Sequence, residues 1–228
     1  MGMEMQIVGF ENLTLSQKIA ESIATQIGEG VLVPGQRLLE QELTEHFGTS
    51  RAPIREALYI LEKEGIVERL PRRGVFVKSY SQKELTDLYD TIYRLEEVAF
   101  EKVVKLAQEE EIKGLETLVG KLEQAAASRQ VKSYIKLVED FHHAFFKLSN
   151  NEVMESLYVM LLKRVKPLRY LSISYESNME LSMKEYNGII DGLKKRDFQT
   201  VKSYLQMKEK RALSVLEKRI VEAQRKEE

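Results

Sequence analysis

This chain of 228 residues has no cysteine and no tryptophan, and it contains only three histidines and four prolines. Without cysteine, disulfides, thiolate metal sites and cysteine nucleophiles are excluded. Its 35 lysines and arginines balance 36 aspartates and glutamates, so no overall field attracts nucleic acid. The sequence has no apolar run long enough to span a membrane, and its start lacks the pattern of a secretory signal. These absences predict a cytoplasmic protein that does not contact a membrane.

Motifs of the common enzyme classes are also missing. The chain has no glycine-rich phosphate loop, no nucleophile elbow and no paired acids in a motif context. His142 and His143 stand side by side, but nothing supplies a matched nucleophile or metal set. We therefore predict that the protein is not an enzyme and has no catalytic residues.

The segment 48–77 carries the most informative pattern in the chain. Ser50 is a good N-cap for a helix, and Gly65 suits the left-handed residue that ends it. Arg51 and Arg55 are four residues apart, so both project from one face near the start of this helix. Arginine at the N-terminal end of a recognition helix can bind guanine in a bidentate manner. Taken alone, the two arginines could instead be surface residues paired with Glu56 or Glu62.

A basic hairpin follows this helix. Residues 66–70 and 75–78 are predicted to be short strands, joined by a turn with Arg72 and Arg73 at its tip. Upstream, helices are predicted at 15–29 and 39–47, with a turn at 33–38 between them. Three helices and a hairpin in this order predict a winged helix-turn-helix domain over residues 1–80.

The predicted DNA-binding domain is not basic as a whole. Residues 1–80 contain 9 basic and 11 acidic residues, so their net charge is −2. The cations cluster instead in the helix that starts after Ser50 and in the hairpin. One such domain offers few base contacts, so we expect a homodimer on double-stranded operator DNA.

Residues 81–228 have a helical pattern almost throughout and form the second predicted domain. Ser81 and Glu84 have the spacing of a capping box at its start. Pro167, the only proline of this part, is expected to kink or divide a long helix. The predicted helices are 82–107, 109–127, 131–149, 152–162, 163–176, 180–195 and 197–225. The fold class is thus mainly α, with a winged helix-turn-helix followed by an all-α bundle.

The run PGQRLLEQELTEHFGTSRAPIREALYILEKEGIV, followed by PRRGVFV, resembles the DNA-binding domain of GntR-type bacterial transcription regulators. The resemblance implies operator contacts from the start of the recognition helix, and minor-groove or backbone contacts from the wing. These residues are Ser50, Arg51 and Arg55, and Arg72, Arg73 and Gly74 in the wing. Gln41 stands where members often have an arginine, which changes one expected contact and the base preference.

With an all-helical second domain, the chain resembles the FadR subfamily, whose effector domain is of the FCD type, at the shorter VanR-like size. Short runs and single residues along the bundle carry this resemblance: Asp87-Leu88-Tyr89, Leu95-Glu96, Phe141-His142, Ser149, Asn151 and Asp197. It implies a regulator, often a repressor, whose operator affinity is controlled by a small molecule bound in the bundle. A pure interaction scaffold would leave the arginine face and the wing unexplained.

Many members of this subfamily hold a divalent metal with one aspartate and three histidines. At the matching positions this chain has Val138, Tyr186 and Lys208, and only His142 is retained. His142 lies on an apolar stripe and is expected to face the interior, whereas His143, four residues after Glu139, is expected to be solvated. No cofactor is therefore predicted. A metal-dependent carboxylate sensor with an atypical ligand set is kept as an alternative.

The missing ligands suggest a different chemistry for the effector site. If Lys208 points inward, its charge could hold an organic acid, with hydrogen bonds from Arg169, His142 and Tyr186. The alternative is that Lys208 is solvated, as charged runs such as 207–211 usually are. A larger apolar effector, such as an acyl thioester, is a further alternative. We predict a carboxylate effector bound by His142, Arg169, Tyr186 and Lys208.

Overall fold

The computed structural model describes residues 13–173 and 178–227, with side chains described as far as residue 218. These residues form two compact units. The N-terminal unit consists of residues 13–27 and 32–78, and the helical unit consists of residues 28–31 and the described residues from 79 onward. Within the described residues, no helix combines the length and apolar character needed to cross a membrane.

The N-terminal unit has three helices and a three-stranded sheet. Its helices are α1 (Leu15–Gly28), α2 (Glu40–Phe47) and α3 (Arg51–Glu64), and its strands are β1 (Arg37–Leu38), β2 (Val67–Leu70) and β3 (Gly74–Val77). The sheet is antiparallel in the order β1-β3-β2. The prediction of a winged helix-turn-helix is confirmed. Strand β1 was missed, because two residues within a predicted turn give no alternating pattern of their own.

Glycines end two of these helices. Gly48 follows α2 with φ 59°, and Gly65 follows α3 with φ 72°, both in the left-handed region that glycine favours. Ser50 occupies the N-cap of α3 with extended backbone, as predicted, but its hydroxyl makes no capping hydrogen bond. The apolar side of α3 is buried in the core of the unit, through Ile54, Ala57, Leu58 and Leu61.

The helical unit contains six helices in the described residues: α4 (Gln82–Leu106), α5 (Glu109–Ala127), α6 (Val131–Leu148), α7 (Glu152–Ile173), α8 (Asn178–Lys194) and α9 (Phe198–Glu227). The capping box at Ser81 and Glu84 is present. The predicted division at 162/163 is wrong, because α7 continues through Pro167. Residues 174–176 of the predicted helix 163–176 lie outside the described residues.

Helix α4 packs against α6, α7, α8 and α9, so it lies at the centre of the bundle. Helices α8 and α9 approach closely at Gly188, where an added Cβ would come within 2.2 Å of the Tyr204 ring. Between them, Asp197 accepts hydrogen bonds from the backbone amides of Gln199 and Thr200 at the start of α9. Helix α9 also packs against α4, and its inward Lys208 reaches Glu96 near the middle of α4.

Candidate DNA-binding surface and effector pocket

The start of α3 presents the polar surface expected of a recognition helix. Ser50, Arg51 and Arg55 are all exposed there, as is Gln41 on α2. The Nε of Arg55 donates to Oε2 of Glu40 at 2.8 Å, although the arginine side chain remains 61% exposed. The Nε2 of Gln41 donates to Glu45 at 3.1 Å. This surface can therefore offer an arginine fork and an amide to a base edge without rearranging the core.

The two acids considered as alternative partners for these arginines are engaged elsewhere. Glu62 pairs with Arg69 at 3.2 Å, and Glu56 accepts a 2.6 Å hydrogen bond from Ser16. Among the residues that the structure describes, Arg51 forms no ion pair. The guanidinium of Arg51 is thus available to an external acceptor.

The wing turn brings three arginines together. Arg72 has φ 61° and Gly74 has φ 106°, a conformation in which a side chain at 74 would be strained. The Arg73 guanidinium lies 5.7 Å from the centre of the Phe76 ring. Arg37 faces Phe76 across the sheet and lies beside Gly74. Sequence reasoning missed Arg37 as a wing residue, because its place depends on the pairing of β1 with β3.

The helical unit contains a small, partly open pocket. Five of the six helices, all except α5, contribute residues to its lining. Its polar lining includes Glu96, Arg169, Ser182, Tyr186, Lys208 and Arg211. The structure thus brings three of the four predicted effector residues to one cavity. The fourth, His142, is not in the lining, but it contacts two residues that are.

The centre of this network is Glu96, a residue that sequence reasoning did not assign to the site. It is fully buried on α4, and its Oε2 accepts a hydrogen bond from the Nζ of Lys208 at 3.2 Å. Lys208 points inward and also lies 4.7 Å from the centre of the Tyr93 ring. The lysine was expected to supply a free positive charge. Its charge is instead matched by a carboxylate within the protein.

His142 links Glu96 to Tyr186. Its Nε2 lies 2.9 Å from the Tyr186 hydroxyl, and its Nδ1 lies 3.0 Å from Oε1 of Glu96, although the angles of this second contact are not those of a hydrogen bond. Burial lowers the pKa of His142 to about 4, so the imidazole is neutral at pH 7. A neutral imidazole can accept the Tyr186 proton at Nε2 while its Nδ1 proton faces Glu96.

Lys208 and Glu96 are both charged at neutral pH. Burial lowers the pKa of Lys208 to about 8, against the opposing influence of Glu96. Burial raises the pKa of Glu96, but His142 and Lys208 outweigh it, and the pKa lies below its usual range. The three groups therefore comprise one ammonium, one carboxylate and one neutral ring.

Two further cations line the pocket. Arg211 donates from Nε and Nη2 to the two carboxylate oxygens of Glu185, at 2.8 and 2.7 Å. Arg169 is 8% exposed, and its Nη1 makes no hydrogen bond within the described structure. No described carboxylate forms an ion pair with Arg169. A buried, unmatched guanidinium is costly, and it is therefore a candidate receptor for an anion.

The residues present do not fit the metal site found in many FCD-type domains. The matching positions hold the apolar Val138, the lysine Lys208 and the buried Tyr186, whose pKa burial raises well above the usual value. Among the described residues, no group of three or more histidines, aspartates or glutamates is arranged to hold a metal ion. The position of Lys208 holds an ammonium, matched by Glu96, where a metal site would need a ligand.

His143 lies on the outer side of α6, as expected, with its side chain 50% exposed. Its expected pairing with Glu139 is not found, because Glu139 accepts from Lys166 and the His143 Nε2 lies 3.5 Å from Glu155.

The sequence analysis did not assign Glu96 and Glu185 to the site, for a common reason. Each is an acid in an otherwise ordinary helix, and only the packing of distant helices reveals its buried cation.

Comparison with protein families accounts for both units. Residues 15–77 match the model of bacterial regulatory proteins of the gntR family, and residues 87–207 match the FCD domain, which by itself covers more than half of the chain. The FCD match extends from α4 to the middle of α9 and includes the pocket residues named above except Lys208 and Arg211, which follow its end.

Similar proteins share this organisation. The transcriptional regulator YdhC of Bacillus subtilis is 29% identical over 180 residues, covering 78% of this chain and 80% of YdhC. The transcriptional repressor RspR of Escherichia coli is 24% identical, covering 80% of each chain. The solved structure of McbR from E. coli shares the fold, with a TM-score of 0.75 at 23% identity over 92% of this chain and all of that one. The chain therefore belongs to the GntR family and is a DNA-binding transcription regulator with an FCD effector-binding domain.

Proposed function

We propose that this regulator is a homodimeric repressor whose affinity for its operator is controlled by an organic acid bound in the pocket of the helical unit. The division of labour follows the two predicted domains, residues 1–80 for DNA and 81–228 for the effector and dimerisation. The observation that carries the effector class is Arg169, a buried guanidinium in a pocket wall with no carboxylate partner among the described residues. A carboxylate can accept two parallel hydrogen bonds from such a group.

The lining of the pocket combines apolar side chains with a few polar and charged groups, as small-molecule sites do. In this proposal Arg169 binds the carboxylate of the effector, and Tyr186 and Lys208 orient it from neighbouring helices. His142 holds the Tyr186 hydroxyl from behind, at 2.9 Å. Apolar neighbours such as Ile92 and Val165 would enclose the carbon skeleton.

For operator recognition we propose base contacts from Ser50, Arg51, Arg55 and Gln41, and wing contacts from Arg72, Arg73 and Gly74. Support comes from the exposure of the α3 arginines and from the lack of an ion pair at Arg51 with any described residue. A bidentate arginine–guanine contact contributes about 1–3 kcal/mol of discrimination against the wrong base. Two recognition helices in a dimer would apply this discrimination at two half-sites.

The DNA part is tested with an operator recovered by in vitro selection on the full-length protein. Fluorescence anisotropy should give at least about a tenfold loss of affinity for Arg51→Ala and for Arg55→Ala. Arg94→Ala, an exposed arginine of the helical unit, is the matched control and should bind as tightly as the parent. Unchanged affinity in both α3 variants would refute the proposed base contacts.

The effector part is tested by thermal shift of metal-stripped protein against a panel of carboxylic acids and divalent metals, singly and in pairs. A ligand that binds only the folded state raises the melting temperature by mass action. We expect an acid to stabilise the protein without metal and then to change its operator affinity. Stabilisation that required a metal would reject the proposal in favour of a metal-dependent sensor with other ligands.

Repression and dimerisation have their own measurements. Light scattering of the purified protein should give twice the mass of the 26.4 kDa chain. A reporter placed behind the selected operator should be repressed by the protein and released by the acid that shifts its melting temperature. An effector can shift an equilibrium only by its difference in affinity for two states. The acid must therefore bind the operator-free protein more tightly than the operator-bound protein.

A further inference from the structure

The charges around the pocket are matched in pairs, with one exception. Three cationic side chains line it, namely Arg169, Lys208 and Arg211. Lys208 is matched by Glu96 at 3.2 Å, and Arg211 is matched by Glu185 through two hydrogen bonds. Each of these acids is itself buried, so neither pair is weakened by water as a surface pair would be.

The other titratable groups nearby do not change this balance. His142 is neutral at pH 7, because burial lowers its pKa to about 4. The pocket tyrosines Tyr89, Tyr93 and Tyr186 are neutral as well, because burial raises the pKa of each hydroxyl. Glu139, on the neighbouring stretch of α6, is matched by Lys166 at 3.4 Å. The lining side chains, counted with Glu185, therefore carry one net positive charge. Arg169, which interacts with Glu96 but forms no direct ion pair in the described residues, is the cation without its own carboxylate.

Building on the proposed function, we propose that the pocket selects an effector with a single negative charge, a monocarboxylate, and that Arg169 is its anion receptor. Because Glu96 neutralises the charge of Lys208, this pair adds no net charge to the pocket. It lies in the region where many FCD-type domains hold a metal ion. A monocarboxylate makes the filled pocket neutral. A dicarboxylate of similar size leaves one negative charge buried without a partner, which strongly disfavours its binding.

The arrangement also indicates how the selectivity is set. Glu96 lies within the lining, and its negative charge would repel a second carboxylate brought into the same pocket. Glu185 matches Arg211, and removing its carboxylate would leave that guanidinium unmatched beside the ligand. Selectivity for a singly charged effector therefore depends on Arg169 as the receptor and also on two acids. Glu96 neutralises Lys208, and Glu185 neutralises Arg211.

The test uses the metal-free, full-length protein at pH 7. Calorimetric titrations are made with straight-chain, hydroxylated and aromatic monocarboxylates, each paired with the dicarboxylate of the same carbon number and with the uncharged amide. The best monocarboxylate should bind at least about tenfold more tightly than its dicarboxylate and its amide. Arg169→Gln should remove at least about tenfold of that affinity, whereas Arg94→Gln, the exposed control, should leave it unchanged.

A charge-switch variant makes the test sharper. Glu185→Gln removes the carboxylate that matches Arg211, whose guanidinium stays protonated, and raises the net charge of the pocket by one. The ratio of dicarboxylate to monocarboxylate affinity should then rise about tenfold or more. Glu185→Ala removes the same charge and serves if the first variant does not fold. A ratio that is unchanged in the folded variants would overturn the proposal.

The outcomes separate this inference from the proposed function. Tighter binding of dicarboxylates by the parent protein would overturn the single-charge inference while leaving an organic-acid effector in place. Binding of the amide as tightly as the acid would overturn the role of Arg169 as anion receptor. If no carboxylate in the panel binds, the proposed effector class fails, and the charge inference fails with it.

Discussion

The two units use charged side chains in opposite ways. In the N-terminal unit the arginines are exposed, and the ion pair of Arg55 with Glu40 lies at the surface. In the helical unit Glu96 and Lys208 are almost completely buried, and each depends on the other. Exposed pairs are nearly neutral for stability and are free to exchange partners, whereas buried pairs constrain the fold. The same residue types thus serve recognition in one unit and the internal order of a pocket in the other.

The largest expected effect comes from breaking the buried pair on one side. Lys208→Met leaves the Glu96 carboxylate buried without its ammonium, and the free energy of unfolding of the helical unit should fall by about 3–5 kcal/mol. Urea unfolding followed by circular dichroism measures this change. The double variant Glu96→Gln with Lys208→Met removes both charges and should be more stable than Lys208→Met alone. A double variant that sums the two single losses would contradict a coupled pair.

The next effect uses pH to act on the same network. Burial lowers the pKa of His142 to about 4 from its usual value of 6.5. Between these values the unfolded chain binds a proton that the folded chain does not. The contribution of His142 to the free energy of unfolding should therefore be constant above pH 6.5 and fall by about 3 kcal/mol toward pH 4. The lowered pKa of Glu96 adds a further loss at lower pH.

Thermal denaturation at half-unit pH steps measures this dependence. His142→Gln, which keeps a polar side chain but does not titrate, should flatten the slope between pH 6.5 and 4. An unaltered slope in that variant would assign the acid sensitivity to other groups.

Two serines at equivalent helix positions offer a smaller and more direct contrast. The Ser81 hydroxyl accepts from the amide of Glu84 in a capping box, whereas the Ser50 hydroxyl makes no capping bond. Ser81→Ala should lower stability by about 1 kcal/mol, and Ser50→Ala should leave it within about 0.5 kcal/mol while weakening operator binding. Differential scanning calorimetry and anisotropy measure the two properties. Equal destabilisation by both changes would remove the distinction between a structural and a DNA-facing serine.

The smallest expected effect on stability is at the exposed pair of Arg55 and Glu40. Glu40→Gln should change the free energy of unfolding by less than about 0.5 kcal/mol, since exposed ion pairs contribute little. It should tighten binding of the selected operator, because it frees the guanidinium and removes a negative charge facing the phosphates. Fluorescence anisotropy at several salt concentrations measures this change in operator affinity. Weaker operator binding would mean that Glu40 orients Arg55 for its contact.

The difference between the units also explains what the sequence could predict. The helix after Ser50, its end at Gly65 and the hairpin are determined by neighbours along the chain, and their patterns were sufficient. Strand β1 and the wing position of Arg37 were missed, because they depend on a partner almost 40 residues away. The same limit applies to Glu96, whose cation Lys208 lies on another helix 112 residues further on.

The predicted division of this long helix near Pro167 was wrong for a related reason. A proline inside a helix removes one backbone hydrogen bond and is unfavourable in isolation. Val165 and Leu168 beside it are buried in the core of the bundle, and this burial stabilises the continuous α7. Packing therefore outweighs local propensity here, and such packing is not visible in a single helix.

The pair of Glu96 and Lys208 also has a consequence for the history of such a chain. A mutation at either position alone passes through a protein with an unmatched buried charge, so the two positions are expected to change together or not at all. Residues of the pocket wall without an internal charge partner, such as Ser172 and Ser182, are under no such restriction. Substitutions that change the effector should therefore be frequent at these small side chains. Substitutions at Glu96 and Lys208 should be rare and should separate only distant relatives.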